Sequence, residues 1–138
     1  MWSDSTLLKF YPHDQADIYN GMMVAQQLAH TIADNAGWYK DPATGETIDR
    51  NFGEVIALMH SELSEALEAD REGKEFDDKL TDKSAVGVEL ADCIIRIFDT
   101  AAALNINIAD CFLSKCRYNM DRADHKLENR RAKGGKKY

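Results

Sequence analysis

Four long stretches of the chain have apolar residues at every third or fourth position, and few helix-breaking residues interrupt them. The 138 residues include only two prolines and eight glycines. Spacings of three and four place apolar side chains on one face of an α-helix. The sequence therefore predicts an all-α fold, a four-helix bundle formed by a single domain of residues 1–138.

Capping and breaking residues set the expected helix limits. Asn51, followed three residues later by Glu54, has the pattern of a capping box, and Gly37 and Gly73 are stop signals. Residues 1–13 are expected to form an irregular lead-in, and residues 37–50 and 73–83 to form loops. The helices are predicted at residues 14–36, 51–71, 84–104 and 108–127. The third is apolar around much of its circumference and is expected at the centre of the fold.

Charge is distributed unevenly over the chain. The net charge is −7, yet from Lys126 onward six Lys and Arg residues accompany a single acid, Glu128. An acidic body argues against a nucleic-acid polymer as partner, and the basic tail from about residue 128 is expected to be mobile. No signal-peptide pattern and no apolar run long enough for a membrane span is found. Three cysteines without paired spacing favour a reduced, cytoplasmic setting.

Two pairs of carboxylates stand out within the predicted helices. Glu62 and Glu65 are three residues apart, as are Glu89 and Asp92, so the members of each pair share a helix face. If the two helices pack together, four carboxylates converge, and such a cluster needs cations to neutralise it. The pattern predicts a site for Mg²⁺, or alternatively Mn²⁺, held by oxygen ligands.

Other polar residues extend this interpretation. Lys115, Asn119 and Arg122 follow one another at helical spacing, which suits a polyphosphate but also occurs on exposed polar faces. Trp38, beside the first loop, is either a cover of the core or a surface on which a base stacks. Arg96 is four residues after Asp92 and can orient a carboxylate.

The carboxylate pattern resembles the signature of a known superfamily. Glu62-x-x-Glu65, 23 intervening residues and Glu89-x-x-Asp92 are similar to the ExxE…ExxD motif of the MazG-like all-α nucleoside triphosphate pyrophosphohydrolases. The superfamily also includes dimeric dUTPases, dCTP pyrophosphatases and phosphoribosyl-ATP pyrophosphatases. Residues 115–122 resemble the Lys-x-x-x-Asn-x-x-Arg helix of these enzymes, and the likeness covers roughly residues 20 to 137.

The resemblance implies a reaction and an assembly. The reaction is hydrolysis of the α–β phosphoanhydride of a (deoxy)nucleoside triphosphate, and the assembly is a homo-oligomer, a dimer or a dimer of dimers. By residue match, Glu62, Glu65, Glu89 and Asp92 become metal ligands, and Glu62 or Glu65 becomes the base that accepts a proton from water. The matched residues for substrate binding are Lys115, Asn119, Arg122 and, more loosely, Trp38.

Two alternatives remain open from the sequence. A phosphoribosyl-ATP pyrophosphatase shares the carboxylates but takes a different substrate. A non-enzymatic helical oligomer explains the acidic pairs as solvated faces or as inter-helix salt bridges. Mg²⁺ should raise the melting temperature only if the carboxylates converge.

Overall fold

A computed structural model of the protein describes residues 12–122 and 126–134, and it confirms the all-α class. The described residues form no β-strand. Each of the two connections contains one isolated β-bridge, Lys40 with Thr47 in the first and Phe76 with Ser84 in the second. The helices in these ranges are α1 (Pro12–Asn35), α2 (Phe52–Glu72), α3 (Ala85–Ala103), α4 (Ile108–Asp121) and α5 (Leu127–Arg131).

Side-chain caps explain where three of the helices begin. Asn51 accepts a hydrogen bond from the backbone N–H of Glu54, as the capping-box pattern predicts. Ser84 and Asn107 cap α3 and α4 in the same way. Gly73 ends α2 in the left-handed conformation with φ 65°, which a residue without Cβ adopts without strain.

Two predicted helix limits are wrong. α1 begins at Pro12, two residues before the predicted start, because proline suits the first turn, where its missing N–H needs no partner. α4 ends at Asp121 rather than Leu127, and Arg122 has an extended backbone. The last turn of α4 has no basic side chain to interact favourably with the helix dipole, and the short α5 begins only at Leu127. Residues 1–11 of the predicted lead-in and residues 123–125 of the predicted fourth helix lie outside the described residues.

The chain divides into two compact units. One comprises Met1–Met23 with Asn107–Tyr138, and the other comprises Val24–Ile106. In the second unit α2 and α3 pack closely against each other. Its buried apolar side chains are mostly small: Ala29, Val55, Ala66, Ala69, Ala85, Cys93 and Ala101. The burial expected for α3 is partial, because Leu90, Ile94 and Ile95 remain about half exposed.

None of the helices in the described ranges combines the length and apolarity that a membrane span requires. The three cysteines, Cys93, Cys111 and Cys116, are free thiols.

Candidate functional site

Three of the four predicted metal ligands come together between α2 and α3. Glu62 of α2 and Glu89 and Asp92 of α3 each offer a carboxylate oxygen, and these oxygens all lie within 4.8 Å of one another. Glu62 is buried, Glu89 is half-buried and Asp92 is exposed. The i, i+3 spacing on α3 and the close packing of the two helices bring this group together, as the sequence predicts.

The fourth predicted ligand, Glu65, stays outside this group of oxygens. Its side chain is exposed one turn after Glu62 on α2. Its negative charge nevertheless reaches the cluster, because it contributes to the raised pKa of Glu89. Glu65 is therefore a neighbour of the cluster with solvent access.

The charge of the cluster is only partly compensated. Arg96 donates from Nε to Glu62 Oε1 at 2.6 Å, so the carboxylate that Arg96 orients is that of Glu62. No basic side chain of the described residues forms an ion pair with Glu89 or Asp92. Burial raises the pKa of Glu89, and the charges of Glu65, Glu62 and Asp92 raise it further. The cluster thus keeps an excess of negative charge that a cation would relieve.

The oxygen set fits a hard divalent cation. Such ions bind oxygen ligands at about 2.0–2.6 Å, so two ligands of one ion lie at most about 5 Å apart. The separations within the group, all below 4.8 Å, satisfy this limit. The donors are exclusively carboxylates, which suit Mg²⁺ or Mn²⁺ rather than a soft metal.

A cavity of about 370 Å³ adjoins the carboxylates. Asp92 belongs to both the cluster and the cavity wall, and Arg96 lines the cavity as well. Apolar side chains from three helices form most of the remaining wall, together with Arg50, Asp99 and Thr100. Trp38 also lines the cavity, and its side chain is 64% exposed. Trp38 is therefore not a cover of a closed core, and its ring faces a space of the size that small ligands occupy.

A buried carboxylate, Asp99, also lines this cavity and contacts three other side chains. Its Oδ1 accepts a hydrogen bond from the Tyr39 hydroxyl at 2.8 Å and lies 2.8 Å from His30 Nδ1, which donates because a carboxylate only accepts. Arg50 Nη1 lies 3.6 Å from the other oxygen, Oδ2. Burial, followed by the hydrogen bond to Asp99, raises the pKa of Tyr39 to about 12. This Asp99 network ties α1, the loop of residues 37–50 and α3 together.

Sequence reasoning did not identify the network as a site. Asp99 lies three residues after Arg96 and seven after Asp92, so it continues a polar face on an apolar helix, and that was the available signal. Its partners His30, Tyr39 and Arg50 are distant in sequence and show no common motif. A second cavity of about 560 Å³ is lined by His30, Tyr39 and Arg50 among others.

The predicted polyphosphate residues lie in the other compact unit. Lys115 Nζ lies 4.6 Å and Arg122 Cζ 5.7 Å from the centre of the Tyr118 ring, so the two cations gather around one aromatic side chain. Lys115 and Asn119 lie on α4, whereas Arg122 is the first residue after it. The Asn119 Oδ1 atom is buried and has no hydrogen-bond partner among the described residues.

Comparison of the chain with protein-family models, with curated proteins and with solved structures finds no match.

Proposed function

We propose that this protein is a Mg²⁺-dependent nucleoside triphosphate pyrophosphohydrolase of the MazG-like type. One observation carries the proposal: Glu62, Glu89 and Asp92 converge within 4.8 Å while only Glu62 has a basic partner among the described residues. An acidic cluster of this kind favours a divalent cation. The adjoining cavity, with Trp38 on its wall, offers room for a base.

The chain's own residues have separate roles in the proposed reaction. Glu62, Glu89 and Asp92 hold the cation, and Arg96 fixes the orientation of Glu62. Glu65 is the better candidate for accepting the proton of the attacking water, because it is exposed while one oxygen of Glu62 is bound to Arg96. Lys115, Asn119 and Arg122 are the residues that bind the triphosphate, as the resemblance implies.

When bound, Mg²⁺ would offset the charge of the triphosphate and lower the pKa of a water molecule. The products are a nucleoside monophosphate and pyrophosphate. Cleavage of the α–β phosphoanhydride distinguishes the enzyme from a phosphatase, which would release orthophosphate.

The non-enzymatic alternative explains less. An inter-helix salt bridge does occur between Arg96 and Glu62, as that alternative expects. Solvated acidic faces, however, do not explain why Glu62 is only 6% exposed or why Glu89 and Asp92 approach it. Keeping three carboxylates this close without a cation costs stability.

Metal-dependent stability and product analysis test the proposal. Mg²⁺ should raise the melting temperature of the wild-type protein, and the protein should convert a triphosphate to monophosphate and pyrophosphate. Glu62→Gln should abolish the Mg²⁺-induced shift and lower kcat by at least about 100-fold, the scale of losing one charge-stabilising group. Glu68→Gln, an exposed change on the same helix, is the matched control and should alter neither.

Two results would contradict the proposal. A melting temperature independent of Mg²⁺ and Mn²⁺ would remove the metal site. Release of orthophosphate in place of pyrophosphate would show that the protein cleaves a different bond of the triphosphate.

A further inference from the structure

Arg50 lines the 370 Å³ cavity and keeps N–H groups that can donate hydrogen bonds to a ligand. Its guanidinium lies over the Tyr39 ring, with Cζ 5.8 Å from the ring centre, and near Asp99 Oδ2 at 3.6 Å. The side chain is only 21% exposed, and its partners among the described residues are these two. A guanidinium has five N–H donors, so several donors remain for a ligand.

The Asp99 network makes this arrangement rigid. Asp99 is 5% exposed, and its Oδ1 atom is held by both His30 and Tyr39 through contacts of 2.8 Å each. A buried carboxylate and an aromatic ring therefore restrict where the Arg50 guanidinium lies. A donor group ordered in advance binds a matching acceptor with little further loss of side-chain entropy.

A planar guanidinium matches a ligand edge that has two adjacent acceptor atoms. Among nucleobases, guanine offers O6 and N7 on one edge. Cytosine offers N3 and O2 on its pairing edge. Adenine pairs its N7 acceptor with an amino donor, and thymine and uracil alternate acceptors with an N–H donor, so none of these three bases presents such an edge.

We propose that the cavity selects a nucleoside triphosphate whose base has two adjacent acceptors, guanine or cytosine, and that Arg50 recognises that edge. The inference rests on the proposed function for its substrate and assigns the specificity of the same site. Trp38 supplies a stacking surface common to all bases, so Arg50 supplies the discrimination. Asp99, His30 and Tyr39 are positioning residues that act through Arg50.

A base panel on the full-length protein with Mg²⁺ tests the inference. The values of kcat/KM for dGTP, dCTP, dATP, dTTP and dUTP are measured by pyrophosphate release. We expect dGTP or dCTP to exceed dATP, dTTP and dUTP by at least about tenfold, within the range of one bidentate contact. A preference for dGTP identifies the O6 and N7 edge, and one for dCTP identifies the N3 and O2 edge.

The variant Arg50→Lys separates charge from geometry. It keeps a cation beside Asp99 but removes the planar pair of donors. We expect the preference to fall to within about twofold, through a higher KM for the favoured base with kcat little changed. Arg71→Lys, at the exposed end of α2, is the matched control and should keep the wild-type preference. Circular dichroism establishes that each variant is folded, and the wild-type panel decides the question if Arg50→Lys does not fold.

A second readout separates this inference from the proposed function. The melting temperature of the wild-type protein is measured with dGMP, dCMP, dAMP or dTMP in a chelating buffer. Hydrolysis of all bases within twofold, or a preference for dATP, dTTP or dUTP, would overturn the recognition by Arg50 and leave the hydrolase standing. A rise in melting temperature specific to dGMP or dCMP, without turnover of any triphosphate, would support recognition by Arg50 and overturn the hydrolase. Neither turnover nor a shift would overturn both.

Discussion

At the scale of single residues, Glu89 is where the predicted metal site affects folding most directly. Its pKa is raised by burial and by the charges of Glu65, Glu62 and Asp92. A carboxyl group with a raised pKa in the folded state stabilises the fold below the pKa of the unfolded chain. That stability is lost as the pH rises through the folded-state pKa. In the protein without divalent cations, ionised Glu89 therefore destabilises the fold at neutral pH.

Glu89→Gln should consequently stabilise the protein in a chelating buffer. We expect its melting temperature at pH 7 to exceed that of the wild type by a few degrees, with the difference shrinking towards pH 4, because protonation of Glu89 increases in both states. Added Mg²⁺ should reverse the order, because the variant lacks one ligand. Thermal unfolding monitored by circular dichroism at both pH values measures this, with Glu68→Gln as the control. A variant less stable than the wild type at pH 7 in chelator would contradict the raised pKa.

The same scale shows which site residues a sequence can reveal. Glu62, Glu89 and Asp92 were predictable because fixed spacing on two helices puts them on faces that pack together. The separation of Glu65 from that group could not be predicted, because it depends on the rotation of α2 about its axis. This rotation leaves Glu65 exposed while Glu62 is buried. His30, Tyr39 and Arg50 meet at Asp99 only through the path of a loop, which no local spacing encodes.

At the scale of elements, two glycines have opposite roles. Gly21 lies inside α1, and a Cβ added there would meet nothing within 4 Å. Gly73 terminates α2 with φ 65°, a conformation that L side chains rarely adopt. The two positions allow the same methyl group to be added with opposite consequences.

Gly21→Ala should stabilise the fold by up to about 1 kcal/mol, because alanine in a helix interior loses less backbone entropy than glycine. Gly73→Ala should destabilise it by about 1–2 kcal/mol through strain in the left-handed conformation. Urea denaturation of the two variants measures both changes in the free energy of unfolding. Changes of the same sign would contradict the assignment of Gly73 as the C-cap of α2.

Helix limits were predictable where a cap is encoded locally. Asn51 and Gly73 were both identified from the sequence, and each occupies a helix boundary. The end of α4 was not identified, because neither glycine nor proline follows Asp121 and the apolar spacing continues beyond it. There the helix ends without a strong local signal, and sequence periodicity alone overestimates its length.

At the scale of the whole molecule, the unit of residues 24–106 leaves much apolar surface exposed. Leu90, Ile94 and Ile97 follow one another on one face of α3 with exposed fractions of 45%, 50% and 37%. On α2, Leu63 and Leu67 are 46% and 53% exposed. Contiguous apolar surface of this kind marks an interface more often than a free surface. In the homo-oligomer expected from the sequence, we therefore predict that α2 and α3 form the contact between copies.

We therefore expect the purified protein to have a mass of at least twice the 15.6 kDa of one chain. A lysine in place of Ile94 would put a charge into the centre of the interface, where an unpaired charge costs several kcal/mol. Ile94→Lys should thus shift the protein to the monomer, whereas Leu80→Lys, an equally exposed position in the connection between α2 and α3, should leave the mass unchanged. Sedimentation equilibrium over a hundredfold range of concentration measures both. A wild-type protein that stays monomeric throughout would contradict the use of this apolar face as a contact between copies.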